Sequence, residues 1–530
     1  MWGLFGRNAG LERWRGMNRI LCFLLMSGAV VMGEEGKRPN ILFLFSDDQS
    51  YKTVSCYPEA LPGVNTPNID ALAKSGVRFT HAYMGSWCMP SRASLLTGRH
   101  PHGIETMRLE GTYPGSTYDP KVCQYWPKVL REKGYQTVQI GKWHTGTDSG
   151  WGRDWDHQIV WNRPKHPENA GNYFYDQIVK EDGVERVEAG YSTDKYTEWA
   201  VDFLKGKKRD AEKPWFLWLC YGAIHGPTTP ADRHKGKHDG DPVKRPADLF
   251  GPRPGKPSFL EKTQAWVKGP NGEAYAGKSG AAFGEEENER KRKTFEDFVH
   301  QSNDCVEALD EGIGRVLAVL KETGQLENTL IVFTADQGFG MGEHGFRMKL
   351  GPWDATYRSP LVVSMPSRFA QGAVCRQPAH GVDLVSTFLA TAGVAEPWEM
   401  HGRDLTGLLE KPEVAEVAIR PCFYEHTGHF YGSDVEKVLR EDPGHAEHNN
   451  VPFYVAVNDG RWKYIRYLRA GETEEVYDLR ADPEELTNLA DDPAHAATLK
   501  RLREVAVAEA RRTKAGFVGE MPATKQMLGR

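Results

Sequence analysis

The sequence predicts an α/β fold built on a large, mostly parallel sheet that is flanked by helices. The first observation is a set of short, continuous apolar runs, which are typical of strands buried on both faces. The second is that helical patterns lie between these runs. The third is the composition, because 39% hydrophobic residues in a chain of 530 provide ample material for a core and exclude wholesale disorder.

Four of the predicted strands lead into polar residues that are suited to chemistry. The strands cover 41–45, 137–140, 215–219 and 330–333, and a fifth at 361–363 has no such ending. They lead, in that order, to Asp47 and Asp48, to Lys142 and His144, to His225, and to Asp336 and Gln337. Ligands of open α/β sheets bind beyond the carboxyl ends of the strands, so the pattern predicts one site at this edge. The helices predicted between the strands cover 68–75, 125–133, 197–204 and 306–320.

Residues 228–293 break this alternation. They carry dense charge and little apolar periodicity, which predicts a surface insertion. The functional alternative is a loop over the site that contacts a charged substrate. The stretch 151–161, which is rich in tryptophan, is a second candidate for a substrate-facing loop.

The character of the chain changes again after about residue 405. Apolar runs at 453–457 and 462–467 flank Asp459-Gly460, and Asp-Gly is a strong hairpin signal. A further strand at 475–479 and an amphipathic helix at 495–511 follow. We therefore expect a catalytic domain over 38–404, which contains the insertion, and a smaller antiparallel α+β subdomain over 405–530.

The N-terminus has the layout of a secretory signal. An apolar run of 13 residues, 20–32, follows three arginines and is too short to span a bilayer comfortably. We expect a signal peptide over 1–33, with Met17 as an alternative start to Met1, and export to the periplasm or the extracellular space without a stable membrane span. The alternatives are an uncleaved signal anchor and a lipoprotein on Cys22, although Leu21 is not the small residue that lipoprotein cleavage needs.

Charge and cysteine usage narrow the function classes. The net charge of −5 excludes a general nucleic-acid binder, which would be basic. Seven cysteines follow Cys22 without any CxxC pair, which argues against a zinc ribbon. An odd number of cysteines in an oxidising compartment leaves at least one thiol unpaired or chemically altered.

The sharpest local pattern surrounds Cys88, in the sequence Cys88-Met-Pro-Ser-Arg92. Pro90 suits the first turn of a helix and Gly98 suits its C-cap, which places Cys88 at a helix N-terminus. Backbone N–H groups and the helix dipole favour an anion there, and Arg92 faces the same spot from one turn further on. A lone cysteine in this position is usually ordinary packing.

The neighbours of Cys88 overturn that interpretation. Cys-x-Pro-x-Arg followed by a leucine-rich turn and Thr97-Gly98-Arg99 resembles the signature of the formylglycine-dependent sulfatases, in the alkaline phosphatase-like superfamily. Further motifs resemble that family in order along most of the chain, at 39–48, 66–80, 141–144, 221–227, 336–338, 349–360 and 461–484. The resemblance implies that a formylglycine-generating or maturase enzyme oxidises Cys88 to formylglycine, whose hydrated aldehyde is the nucleophile.

The resemblance also implies a metal site made by the residue at position 88 and the oxygen ligands Asp47, Asp48, Asp336 and Gln337. Three converging carboxylates repel each other strongly without a cation. An all-oxygen set suits a hard cation such as Ca2+, with Mg2+ as the alternative. Gln337 departs from the Asn or His that is common in the family, and its oxygen reaches one methylene further than that of Asn.

Roles for the basic residues follow from the chemistry of a sulfate ester. Arg92, Lys142 and Lys349 would neutralise the sulfate oxygens. His225, together with Lys349, would protonate the leaving alcohol. His144 would take the proton from the second hydroxyl of the hydrate, which expels sulfate and regenerates the aldehyde.

We therefore expect hydrolysis of sulfate esters, on a sulfated carbohydrate rather than a small aryl sulfate. One alternative is a phosphate or phosphonate ester hydrolase of the same superfamily. Another is an exported binding protein that has lost catalysis on this fold. Such a protein would be expected to have lost Asp47, Cys88 or His225, and all three are present.

Overall fold

The centre of the molecule is a ten-stranded sheet formed by the apolar runs. The computed structural model describes residues 37–109, 116–162, 172–277, 293–413 and 420–529, so the predicted signal peptide lies outside the described residues. Among the helices of this described part, none combines the length and apolar character needed to cross a membrane.

The strands, in chain order, are β1 (Asn40–Ser46), β2 (Val77–Phe79), β3 (Ala82–Tyr83), β4 (Met107–Leu109), β5 (Ser116–Tyr118), β6 (Gln136–Lys142), β7 (His157–Trp161), β8 (Tyr175–Glu181), β9 (Val184–Tyr191), β10 (Trp215–Cys220), β11 (Trp266–Lys268), β12 (Ala274–Ala276), β13 (Thr329–Ala335), β14 (Leu361–Ser364), β15 (Ala373–Cys375), β16 (Ala379–His380), β17 (Cys422–His426), β18 (Glu447–His448), β19 (Val451–Pro452), β20 (Tyr454–Asn458), β21 (Trp462–Tyr467) and β22 (Glu475–Asp478). The α-helices are α1 (Pro67–Lys74), α2 (Cys88–Thr97), α3 (Trp126–Glu132), α4 (Ser192–Leu204), α5 (Leu260–Thr263), α6 (Phe295–Glu322), α7 (Asp354–Tyr357), α8 (Gly381–Thr391), α9 (Thr406–Glu410), α10 (Ser433–Glu441) and α11 (Ala496–Arg512).

The large sheet has the strand order β15-β2-β14-β13-β1-β10-β6-β7-β8-β9. Its five central strands, from β13 to β7, are parallel to one another. Antiparallel pairs join β14 to β13 and β8 to β7. The predicted mostly parallel sheet is therefore confirmed.

Strand β1 explains the layering of helices on both faces of the sheet. Ile41, Phe43 and Phe45 belong to an apolar cluster shared with α2, α3 and α8. Leu42 and Leu44 belong to a second cluster, shared with α1, α4 and α6. Because successive strand residues point to opposite faces, a continuous apolar run is what a strand covered on both sides requires.

The strand register brings the polar strand ends together. Ser46 lies beside Ala335, so Asp47 and Asp336 leave the sheet next to each other. Phe45 lies beside Cys220, and Cys220 lies beside Gly141, directly before Lys142. The predicted clustering of these residues at one edge follows from this alignment.

The C-terminal part forms a four-stranded antiparallel sheet, β17-β20-β21-β22, on which α11 packs through an apolar cluster. Gly460 supplies the positive φ of 92° in the hairpin, as Asp459-Gly460 predicts. Strand β17 was not predicted from the sequence. The chain from Arg38 onward clusters as one compact unit, so the division near residue 405 stays a prediction.

The insertion is more ordered than its composition suggests. Its described part, up to residue 277, carries helix α5 and the hairpin of β11 and β12. Trp266 of β11 is buried in an apolar cluster with Leu249 and with Phe295 and Phe298 of α6. These few apolar side chains anchor the insertion on α6. The helix begins at Phe295, earlier than the predicted start at residue 306, and its added first turn supplies Phe295 and Phe298 to the cluster.

Candidate active site

The two aspartates after β1 are fixed by the neighbouring loop. The backbone N–H of Asp47 donates to the carbonyl of Ala223 at 2.9 Å, and the N–H of Ile224 donates to the carbonyl of Asp47 at 2.8 Å. These bonds join the loop after β1 to the loop after β10, which carries His225. Asp48 has φ 55°, and its backbone N–H donates to Asp336 Oδ1 at 3.0 Å.

Cys88 occupies the first residue of α2, as predicted. Trp87 is the extended N-cap, and Gly98 ends the helix with φ 71°. The thiol is buried, and its Sγ lies 3.3 Å from Asp47 Oδ1. Burial, and then the charges of Asp336 and Asp47, raise the pKa of the Cys88 thiol to about 12. The thiol is therefore protonated at neutral pH and is a poor nucleophile in this form.

Buried ion pairs surround the aspartates. Lys142 Nζ contacts Asp47 Oδ2, and both side chains are fully buried. Arg92 Nη2 lies 3.2 Å from Asp336 Oδ2, and Arg92 Nη1 donates to the carbonyl of Lys142 at 2.9 Å. Arg92 therefore holds the loops after β6 and β13 together.

The two strand-end carboxylates differ in acidity. Burial, and then the negative charge of Asp47, raise the pKa of Asp336 to about 7. Burial also acts to raise the pKa of Asp47, but Lys142 and the other cations nearby hold it well below its usual range. Asp47 is therefore the stronger permanent negative charge of the two.

Gln337 and Lys349 close the site around Asp48 and Cys88. Lys349 Nζ lies 2.7 Å and 3.0 Å from the two carboxylate oxygens of Asp48 and 3.0 Å from Cys88 Sγ. Gln337 Nε2 donates to Asp48 Oδ1 and lies 3.6 Å from Cys88 Sγ. A rotation of the terminal amide by 180° would present Oε1 of Gln337 to this position instead.

His225 lies on the other side of Asp48, with Nε2 3.5 Å from Asp48 Oδ2. Its ring stacks on that of Tyr173 at 4.0 Å between centroids, and the Tyr173 hydroxyl lies 3.3 Å from Nε2. Nδ1 lies 2.6 Å from the carbonyl of Gly226, so it carries the hydrogen in the neutral ring. Burial lowers the pKa of His225 to about 4, against the opposing charge of Asp48. Tyr173 was missed from the sequence, where nothing ties it to His225.

His144 lies just beyond β6 with φ 60°, and it is buried. Its ring lies edge-on to the indole of Trp87, 6.5 Å between centroids. Trp87 directly precedes Cys88, so His144 lies near the N-terminus of α2. Its role stays a prediction.

The donor atoms at the centre suit a divalent cation. One ligand atom each from Asp47, Asp48, Cys88 and His225 lies within 4.8 Å of the others. Asp336 adjoins this group, with its oxygens accepting from the Asp48 N–H and from Arg92. Carboxylate oxygens predominate among these atoms, which fits a hard cation. In this structure the ammonium groups of Lys142 and Lys349 supply positive charge to the carboxylates of Asp47 and Asp48, respectively.

One sequence expectation needs revision. Within 151–161, Trp155 is fully buried, and the Thr137 hydroxyl at the start of β6 donates to the carbonyl of Asp154. Trp151–Asp156 therefore lie against the amino end of β6, away from the catalytic edge, because the chain must return there to begin the parallel strand β7.

The seven described cysteines are all free, so the six that remain beside Cys88 form no disulfide.

A mostly parallel α/β sheet with two aspartates, a helix-start cysteine and basic side chains at one strand edge defines a hydrolase of charged esters. Residues 39–394 match the Sulfatase family model, and residues 342–512 match the model of the N-sulphoglucosamine sulphohydrolase C-terminal region. The chain belongs to the sulfatase family, within the alkaline phosphatase-like superfamily, and is a sulfuric ester hydrolase.

Relatives with known names agree with this assignment. An N-acetylglucosamine-6-O-sulfatase of Bacteroides thetaiotaomicron is 30% identical, over 91% of this chain and 88% of that protein. A solved structure in complex with its substrate, D-glucosamine-2-N,6-O-disulfate, has a TM-score of 0.73 and 27% identity, covering 90% of this chain and 98% of that one. The phosphonate monoester hydrolase of Silicibacter pomeroyi shares the fold, with a TM-score of 0.66 at 23% identity over 90% and 96% of the two chains.

Proposed function

We propose that this chain hydrolyses sulfate esters on a sulfated glycan, with formylglycine at position 88 as the source of the nucleophile. The observation that carries the proposal is the position of Cys88 at the start of α2. Its Sγ lies 3.3 Å from Asp47 Oδ1 and 3.0 Å from Lys349 Nζ. An atom attached to the Cβ of residue 88 therefore lies next to the Asp47 carboxylate, which suits a metal cation. It also lies next to the Lys349 ammonium group, which suits a sulfate oxygen.

We propose that Asp47, Asp48, Asp336 and Gln337, together with the residue at position 88, hold one divalent cation, Ca2+ in preference to Mg2+. When bound, the cation supplies Lewis-acid polarisation of a sulfate oxygen and helps to ionise a hydroxyl of the hydrated aldehyde. Lys142 and Lys349 offer ammonium groups to the remaining sulfate oxygens. Arg92 supports them by fixing the Lys142 carbonyl and Asp336.

His225 and Lys349 protonate the leaving alcohol in this proposal. The stacking of Tyr173 fixes the plane of the His225 ring, and the Nδ1 contact with Gly226 fixes its rotation, so Nε2 stays directed toward Asp48. His144 takes the proton that must leave the second hydroxyl before sulfate can depart. The low pKa makes the protonated ring of His225 a strong acid toward the leaving alcohol, and His144 is buried beside the start of α2.

The substrate class rests on the relatives. The named N-acetylglucosamine-6-O-sulfatase and the complex with a 6-O-sulfated glucosamine both match nearly the whole chain, which supports a 6-O-sulfated glucosamine unit as the substrate. We also propose that a formylglycine-generating or maturase enzyme acts on Cys88 during synthesis. The mature protein is then exported after cleavage of the signal peptide.

The test is turnover of three substrates by the full-length enzyme made together with a maturase: 6-O-sulfated N-acetylglucosamine, an aryl sulfate and the matching aryl phosphate. We expect hydrolysis of both sulfates and a kcat/KM for the aryl sulfate well above that for the phosphate. A preference for phosphate would favour the phosphate or phosphonate hydrolase alternative. No turnover of any of the three would favour a binding protein.

A further inference from the structure

A cavity of about 350 Å3 adjoins the catalytic edge of the sheet. Three loops of the catalytic site continue into its wall. Gly226, Pro227 and Thr228 follow His225 directly, Phe339 comes two residues after Gln337, and Arg347 comes two residues before Lys349. The opposite wall comes from the insertion and from Phe298 and Gln301 of α6. A ligand in this cavity would therefore be adjacent to the reacting centre.

The cavity contains an arginine without a carboxylate partner among the described residues. The guanidinium of Arg347 lies over the ring of Phe298 at 5.1 Å and over that of Trp266 at 5.8 Å. Three arginines in the described part of the insertion each reach a carboxylate: Arg233 pairs with Asp194, Arg245 with Glu296 and Arg253 with Asp248. Arg347 thus differs from these arginines in holding a partly buried charge that no carboxylate neutralises within the described part of the chain.

A second cation strengthens the positive field at this wall. Lys293 Nζ donates to Gln301, which lines the cavity. Burial lowers the pKa of Lys293, the positive charge of Arg347 lowers it further, and the negative charge of Asp297 acts to raise it. A partly desolvated guanidinium beside a second cation is stabilised by an anion that enters the cavity.

We propose that this cavity is a subsite for an anionic group, a carboxylate or a sulfate, on the sugar next to the one whose ester is cleaved. The inference rests on the proposed glycan sulfatase function. A volume near 350 Å3 falls within the range of small-molecule sites, about 300–1,000 Å3. Phe339, which is half-buried and packs on Phe298 with ring centroids 6.2 Å apart, adds apolar surface on which a sugar ring can pack, and Arg347 binds the anion.

The experiment compares kcat/KM of the matured enzyme for four substrates. These are 6-O-sulfated N-acetylglucosamine alone, the same unit linked to glucuronic acid, its carboxyl-reduced counterpart with glucose, and a counterpart whose glucose carries a sulfate. The wild type should prefer the disaccharides with an anionic neighbour to the neutral one. The disaccharide with the higher kcat/KM shows which of the two anionic groups, carboxylate or sulfate, the subsite accepts.

The variant Arg347→Gln should lower the preference for an anionic neighbour about 10- to 100-fold, as expected for the loss of one charge-assisted contact. Arg347→Lys should restore part of it. The matched control Arg315→Gln removes an exposed arginine of α6 outside the cavity and should keep the full preference. Melting temperatures of all variants check that they fold.

An unchanged preference in a folded Arg347→Gln variant would overturn the subsite while leaving the sulfatase function intact. A wild type that hydrolyses the monosaccharide but shows no preference for an anionic neighbour would overturn it as well. A wild type inactive on all four substrates would remove the proposed function and, with it, this inference.

Discussion

His380 gives a prediction about stability whose size can be worked from the structure. It is the N-cap of α8, where its Nδ1 accepts a hydrogen bond from the N–H of Val382 at 3.1 Å. Protonation of Nδ1 would remove this acceptor inside a buried environment. Burial lowers the pKa of His380 to about 3. The folded protein therefore keeps this ring neutral under conditions in which the unfolded chain protonates it.

The sign and the magnitude follow from linkage. Because the folded pKa lies below the unfolded value of about 6.5, the stability is fully present above pH 6.5 and is lost as the pH falls toward 3. At pH 5.0 the loss from this one ring is about 2 kcal/mol. Asparagine caps helices well and does not titrate in this range. The variant His380→Asn should therefore lose about 2 kcal/mol less than the wild type between pH 7.5 and 5.0.

The assay is urea unfolding of both proteins at pH 7.5 and 5.0, at one fixed concentration of Ca2+. His380→Asn starts from a lower stability at pH 7.5, because the His380 ring packs on that of His100 at 4.5 Å and asparagine is smaller. The control His445→Asn changes an exposed histidine and should leave the acid loss of the wild type in place. An equal loss in His380→Asn and the wild type would refute the reasoning.

Three further predictions concern the catalytic centre. Cys88→Ala should lower turnover of an aryl sulfate by at least about 1,000-fold with little change in melting temperature, since it removes the nucleophile; retained turnover would count against the site. Chelation with EDTA should abolish turnover and lower the melting temperature, and Ca2+ should restore both better than Mg2+; full activity in EDTA would argue against a cation at Asp47 and Asp48. His225→Gln should lower kcat for a sugar sulfate by about 100-fold but much less for a nitrophenyl sulfate, whose good leaving group needs no proton; equal losses would assign His225 another role.

The sequence predicted the catalytic edge because the signal there is local. Strand β1 ends at Ser46 and β13 at Ala335, and the two strands pair in register. Asp47 and Asp336 therefore had to meet once the strands were parallel neighbours. The helix that begins at Cys88 could be predicted for the same reason, because Pro90 marks its first turn and Gly98 its end.

The features that the sequence analysis missed or misplaced depend on packing between segments that are distant in the chain. Tyr173 reaches His225 because β8 follows β7 in the sheet order, which no local pattern reveals. Strand β17 is buried between the catalytic part and β20, so it lacks the alternation that marks a half-exposed strand. The stretch 151–161 was placed at the site by its tryptophans, but Trp155 and Trp161 are buried in the two layers of the core.

The chemical state of residue 88 in the active enzyme tests the account most directly. The measurement is the mass of the proteolytic peptide that contains it, taken from the same preparation whose turnover of an aryl sulfate is recorded. We predict a peptide about 18 Da lighter than the thiol form, in a fraction that rises in proportion to kcat. Full sulfate turnover by a preparation in which residue 88 keeps its sulfur would contradict the account.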